Sequence, residues 1–408
     1  MRLFTHAAAL RVMLVVAVVG IFCRISATRV AYTAGLQAPQ FEVDPMWPKP
    51  LPHHWILGNV TGVAVDSHDH IWIVHRQNSL EPMETWAATT PPASECCVPA
   101  PPVLEFDEEG NLLNHWGGPG QGYDWPVSMH GIAVDPDGNI WIGGNGSGGP
   151  PPGVNGAATP YHDTMVLKFS SEGNFLMQIG KAGQSKGSND IQNLQGPAKI
   201  WFDAKTGEAY IADGYGNHRV IVFDYKTGKY KRHWGAYGKA PTDENLGDYI
   251  AGTENAPQFR NPVHCAVLSG DNLLYVCDRI NDRVQIFKPD GTFITEHYYY
   301  THTLGAGSVW DIAFSKDPQQ TFIYLADGSN DKIHVLDRRS MAVLTSFGDG
   351  GRQPGQFYAV HSIATDSKGN LFTAETFRGQ RLQKFLYKGI FPVTSKDQGV
   401  VWPRKNTN

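Results

Sequence analysis

His130-Gly131-Ile132-Ala133-Val134-Asp135-Pro136-Asp137-Gly138-Asn139-Ile140-Trp141-Ile142 is the stretch that decides the fold. Alternating strand-like runs flank an Asp-Gly-Asn turn that supplies the backbone freedom a tight reversal needs, so it predicts a β-hairpin. The phrase recurs. Residues 61–66 lead to Ile71-Trp72-Ile73, 198–203 to Ala209-Tyr210-Ile211, and 264–268 to Leu274-Tyr275-Val276. Residues 310–314 lead to Phe322-Ile323-Tyr324, and 361–366 to Leu371-Phe372-Thr373. Six copies, most trailed by two more strand-like runs, predict an all-β six-bladed propeller.

Superposing the copies on their first residue gives Thr61, His130, Ala198, His264, Trp310 and His361. The innermost strands of a propeller line its central channel, so these positions form a ring around the axis. Histidine takes every second place. Alternate blades stand roughly 120° apart, so three imidazoles converge from three sides and leave one face open, the arrangement of a catalytic three-histidine zinc site. The plainer alternative is three polar residues in a wet channel. With 16 histidines in the chain, one such coincidence is unremarkable, but three on alternate blades favour the metal.

The repeats make residues 28–390 a single propeller, followed by a C-terminal tail over 391–408. Gly 44 and Pro 27 against 18% charged residues suit strands and turns, and a mean hydropathy of −0.31 suits a soluble protein. A net charge of −5 leaves no basic footprint for nucleic acid. Arg2 and Arg11 precede an uncharged run from Val12 to Cys23, with small residues near Ala27. Residues 1–27 therefore read as a signal peptide, or as an anchor if uncleaved, which predicts a secreted or periplasmic protein that touches a membrane only through that segment. A monomer is expected. Adjacent Cys96 and Cys97, and Cys265 and Cys277 on neighbouring strands, are either buried thiols or, in an oxidising compartment, disulfides.

A ring must be closed, because open sheet edges invite aggregation, and Phe41-Glu42-Val43 is the candidate fourth strand of the last blade. Two inserts follow second strands. Leu80 to Pro102 is rich in proline and expected to join no sheet, while Gly143 to Tyr161 is dominated by glycine and proline; both are placed to roof one face. A further excursion, 239–260, separates the third and fourth blades. The loops after second strands share an Asp, an Asn or Asp and a basic residue, seen in Asp213/Asn217/Arg219 and Asp278/Asn281/Arg283, which suits turn stabilisation. The residues not shared are more informative: Tyr215, Arg279 and, in the first blade, Arg76.

At these residues the sequence resembles the NHL-repeat propellers and, within them, the peptidyl-α-hydroxyglycine α-amidating lyase family, over roughly residues 41–387. Met129-His130-Gly131-Ile132, Val263-His264-Cys265-Ala266 and Val360-His361-Ser362-Ile363 are similar to its three zinc-ligand motifs. The resemblance implies zinc on His130, His264 and His361, a tyrosine base at Tyr215 and active-site arginines at Arg76 and Arg279. It also implies the reaction, which splits a C-terminal α-hydroxyglycine from a peptide to leave the peptide amide and glyoxylate. The expected substrate is such a peptide or a small α-hydroxy-amido acid. Zinc would take the substrate's hydroxyl or carboxylate in its open position, Tyr215 would accept the hydroxyl proton, and the arginines would clamp the carboxylate. The chain departs from the family at Ser362, where an acidic residue helps to bind a structural calcium, and at Val263 and Val360, which replace prolines. Gly216 also stands where a cysteine would follow the tyrosine.

Two readings of other classes compete. One is an extracytoplasmic NHL-type binding propeller without catalysis. The other is a metal-dependent hydrolase of the lactonase type, which places carboxylates at the axis. Thr61, Ala198 and Trp310 offer none there, and only Asp311 could reach inward.

Overall fold

The computed structural model describes residues 35–146 and 162–403. The leader expected over residues 1–27 and much of the insert up to Tyr161 lie outside the described residues. Among those residues, no helix is long and apolar enough to cross a membrane.

Six four-stranded antiparallel sheets form the blades of a β-propeller. The innermost strands are Asn59–Val65, Met129–Val134, Pro197–Asp203, Val263–Leu268, Asp311–Phe314 and Val360–Thr365. Each begins within two residues of the ring position found in the sequence. Five blades are each built from one continuous segment of the chain, the first with an additional short strand between its second and third. The sixth is completed by Gln37–Asp44, which pairs antiparallel with Arg381–Pro392 and sets Phe41 against Tyr387 and Val43 against Phe385. The residues after Pro392 also pack back on the disc: Ser346 donates to Lys396 O at 2.9 Å and Val43 to Val401 O at 2.8 Å.

The hairpin motif owes its form to the aspartate that ends the first strand. Asp135 accepts the Asp137 and Asn139 amides with Oδ1, at 3.0 and 2.9 Å, and the Trp141 indole N–H with Oδ2 at 3.0 Å. Asp66 repeats this with the amides of His68 and His70 and with Trp72 Nε1. The turn and the large apolar residue between blades are thus fixed by one carboxylate. Trp72 and Trp141 are consequently buried with their polar atoms satisfied.

The loops after second strands are built as their composition predicts. Asp213 Oδ2 accepts Asn217 Nδ2 at 2.7 Å and Arg219 Nε at 2.8 Å. Asp278 Oδ2 likewise accepts Asn281 Nδ2 and Arg283 Nε, both at 2.7 Å. The Asp278 and Arg283 side chains have no solvent exposure, and burial pushes the Asp278 carboxyl up despite the facing guanidinium. Arg283→Ala would strand that carboxylate, so a loss of about 3–5 kcal/mol is expected in urea unfolding. An unchanged midpoint would show that the pair contributes nothing.

One expectation is corrected. The proline-rich insert does join a sheet, since Val98–Pro99 pairs in parallel with Trp55–Ile56. Val98 and Ala100 donate to His54 O and Ile56 O, each at 3.0 Å, so the intervening proline has no N–H to supply. Cys96 is bonded to Cys97, and Cys265 to Cys277. The second pair faces across neighbouring strands with Cα atoms 4.8 Å apart. Both bonds are compatible with a location outside the cytoplasm.

Candidate metal centre and active site

His130, His264 and His361 converge on the axis, and their ligand atoms fall within 4.8 Å of one another. All three are buried, with 2–4% of their surface exposed. What aims them is the intervening half of the ring. His130 Nδ1 lies 3.4 Å from Ala198 O, His361 Nδ1 lies 2.7 Å from Thr61 O, and His264 Nδ1 is hydrogen-bonded to Trp310 O. Each non-histidine ring residue therefore orients one imidazole through its carbonyl. A carbonyl can only accept, so each Nδ1 carries the proton and each Nε2 presents a lone pair.

Two of those lone pairs face each other with no proton between them. His264 Nε2 and His361 Nε2 stand 3.2 Å apart, close to the roughly 3.3 Å between two nitrogens of a tetrahedral zinc with bonds of about 2.0–2.1 Å. Two facing acceptors repel unless a cation lies between them. Protonation is not available to relieve the repulsion. Burial, followed by the neighbouring positive groups including Arg279 and Arg76, pushes His361 down to about 3 and holds His130 and His264 well below the ordinary histidine range. Neutral imidazoles with fixed tautomers are the form that binds a metal, so the residues fit zinc.

Tyr215 joins this group. Its hydroxyl lies 2.8 Å from His130 Nε2, 3.1 Å from His264 Nε2 and 3.1 Å from Arg279 Nη1. The loop is held close by its backbone: Asn261 Nδ2 donates to Gly214 O and Tyr215 O at 3.0 and 2.9 Å. A side chain at Gly214 would place its Cβ 2.1 Å from the backbone of Val263, so only glycine permits the approach.

Arg279 stacks over Trp310, with its guanidinium carbon 4.5 Å from the ring centroid. Its Nε is buried with no hydrogen-bond partner among the described residues. A buried guanidinium N–H left in this way favours an anion. Arg76 ends the second strand of the first blade and reaches toward the second, donating from Nε to Met129 O at 2.8 Å and from Nη2 to Asn145 Oδ1 at 2.7 Å. Asn145 is set in turn by buried Asp163, which accepts the amides of Val127, Ser128 and Gly146 at 2.6–3.0 Å. Burial pulls the Arg76 guanidinium below its ordinary range.

The structure thus gathers all six residues singled out in the sequence around one end of the channel. Sequence reasoning missed Trp310 as the stacking platform, Asn145 and Asp163 as the support of Arg76, and Lys199. Asp311 does reach inward as considered, but its carboxylate lies against the Lys199 ammonium at 2.7 Å. The departure from the family's calcium site at Ser362 has a structural counterpart, since that ammonium lies against the carboxylate to which Ser362 donates. A second His/carboxylate group, Asp66, His70 and Glu105, could also hold a cation by proximity. There, however, both Asp66 oxygens serve the hairpin turn, as those of Asp135 do.

Fold and site together define a six-bladed propeller with an axial three-histidine group able to hold a metal. A family model described as a two-component regulator propeller matches residues 126–146. The mouse peptidyl-glycine alpha-amidating monooxygenase is 25% identical over 250 residues, 57% of this chain and 21% of that protein. This chain therefore spans about a fifth of that relative. The mouse NHL repeat-containing protein 3 is 25% identical over 367 residues, covering 86% of this chain and 85% of its own. A Caenorhabditis elegans probable peptidyl-alpha-hydroxyglycine alpha-amidating lyase is 24% identical over 237 residues, 57% of this chain and 56% of that protein. The chain is a six-bladed propeller that resembles the NHL-repeat propellers and, within them, the peptidyl-α-hydroxyglycine α-amidating lyase family.

Proposed function

We propose that this protein is a zinc-dependent lyase that cleaves peptidyl-α-hydroxyglycine, or a closely related α-hydroxy-amido acid, to an amide and glyoxylate. The observation that carries the reading is the meeting of Tyr215 with the three imidazoles and Arg279, since a proton acceptor, a metal group and an anion-binding guanidinium then face one point. Zinc held by His130, His264 and His361 would supply the electrophile that favours ionisation of the substrate hydroxyl.

The protein's own groups account for the rest. Arg279, with its buried unpartnered Nε, and Arg76 receive the substrate carboxylate as a charge-assisted pair. Tyr215 Oη, acting in this step as the phenolate, accepts the hydroxyl proton and becomes the neutral phenol. The C–O bond becomes the carbonyl of glyoxylate, the C–N bond breaks, and the amide nitrogen takes up the proton that Tyr215 returns. A groove of about 690 Å³ opens beside Tyr215, lined in part by Leu246, Tyr249, Arg260 and Leu304. It offers room for the residues that precede the hydroxyglycine, which supports a peptide as substrate. We place the enzyme outside the cytoplasm on the strength of its two disulfides.

The test is glyoxylate release by the zinc-loaded protein from α-hydroxyhippurate. Benzamide and glyoxylate are expected in equal amounts. A protein that holds zinc yet forms neither product from this compound or from a longer peptidyl-α-hydroxyglycine would overturn the reading.

A further inference from the structure

Directly beneath the three histidines, a small cavity is lined by Thr61, Ala198, Lys199, Asp311 and Ser362 as well as by the imidazoles. Lys199 also lines the chamber of about 680 Å³ at the opposite mouth of the channel. Its side chain therefore lies between the two spaces. The Nζ atom is 2.7 Å from both oxygens of Asp311 and 3.4 Å from the carbonyls of Ile312 and Ile363. The third, fifth and sixth blades thus meet at one ammonium.

The oxygens around it form the kind of set a hard cation selects: one carboxylate with both oxygens turned in, and backbone carbonyls. Their geometry is fixed from behind. Asp311 Oδ2 accepts Ser362 Oγ at 3.1 Å and the Ile363 amide at 3.0 Å, while Oδ1 accepts the Ile312 amide at 2.8 Å. Ser362 Oγ also accepts the amide of Val63 in the first blade at 3.4 Å. One ammonium balances one carboxylate. An acidic residue at 362 would add a second negative charge that nothing here offsets, whereas serine donates a hydrogen bond to Asp311.

We infer that Lys199 is a tethered cation that takes the place of a calcium ion in the channel, joins three blades through Asp311 and closes the channel beneath the histidines. This does not depend on which reaction the protein catalyses. The position next to His361 is neutral because the charge that calcium would bring is already covalently attached, one residue after Ala198.

The test compares the zinc-loaded protein with its Lys199→Ala and Asp311→Asn variants, using thermal unfolding and equilibrium dialysis against calcium after removal of trace calcium. The unaltered protein is expected to bind no calcium in the channel and to keep its Tm when calcium is raised to millimolar levels. Lys199→Ala should lower Tm on the order of 10 °C, as for a broken buried pair. Calcium should then restore part of the loss as about one ion binds per chain, because the carboxylate and carbonyls are left facing an open position. A Lys199→Ala protein with unaltered Tm, or one destabilised but indifferent to calcium, would overturn the inference. So would stoichiometric calcium binding by the unaltered protein that Asp311→Asn abolishes, an outcome readable even if Lys199→Ala does not fold.

Discussion

Replacing His264 by alanine is expected to remove bound zinc and, with it, turnover, while leaving the propeller folded. His264 faces both a second imidazole and Tyr215, with Nε2 3.2 Å from His361 Nε2 and 3.1 Å from the tyrosine hydroxyl. Two histidines cannot satisfy the three-nitrogen set that catalytic zinc sites use, so affinity should fall by several orders of magnitude. The scaffold should survive. The residue sits at the axis, outside the apolar layers between blades, and its loss frees one acceptor, Trp310 O, at a cost of about 1–3 kcal/mol. Elemental analysis after dialysis against a mild chelator measures the first effect, and far-ultraviolet circular dichroism checks the second. One equivalent of zinc retained at the original affinity would remove His264 from the metal group.

Tyr215→Phe is expected to separate chemistry from metal binding. The ring and its packing remain, and the three Nδ1 to carbonyl contacts that aim the imidazoles do not involve the phenol, so zinc should stay. What disappears is the oxygen within 2.8–3.1 Å of His130, His264 and Arg279. If that oxygen takes the substrate proton, kcat should fall by about 10²–10⁴-fold. KM should change little, because the carboxylate is held by Arg76 and Arg279 rather than by the tyrosine. Steady-state kinetics on zinc-loaded variant and parent decides it. Undiminished kcat would move the proton acceptor elsewhere, and a rise in KM alone would make Tyr215 a binding residue.

The parts of this molecule that were readable in the sequence are those written within one blade or repeated across blades. The hairpin phrase repeats because each copy solves the same local problem, an aspartate satisfying its own turn and a neighbouring tryptophan. Aligning copies places His130, His264 and His361 on the ring with no knowledge of the chain between them. Phe41 to Val43 was legible as the closing strand because a propeller needs a partner for its last edge. The unread parts depend on neighbours from different blades. Nothing in Ala198-Lys199-Ile200 says that its ammonium meets an aspartate two blades away. Asn145 and Asp163 look like ordinary loop residues until Arg76 arrives from the first blade. The pairing of Val98–Pro99 with Trp55–Ile56 was hidden because proline argues against a strand, and only the register shows that the donors fall on either side of it.

Because Gln37–Asp44 finds its partner only in Arg381–Pro392, the ring is also ordered in time. As the chain emerges from the ribosome the first five blades can form from consecutive segments, but the sixth must wait for residues made near the end of synthesis. Until then Phe41 and Val43 lack the Tyr387 and Phe385 they face in the finished sheet, and the apolar edge they will cover is open to unwanted partners. His361 lies on that same late blade. A nascent propeller holding His130 and His264 therefore has two of the three imidazoles and no enclosure, so under the proposed function tight metal capture would be a late event that marks the chains whose ring has shut.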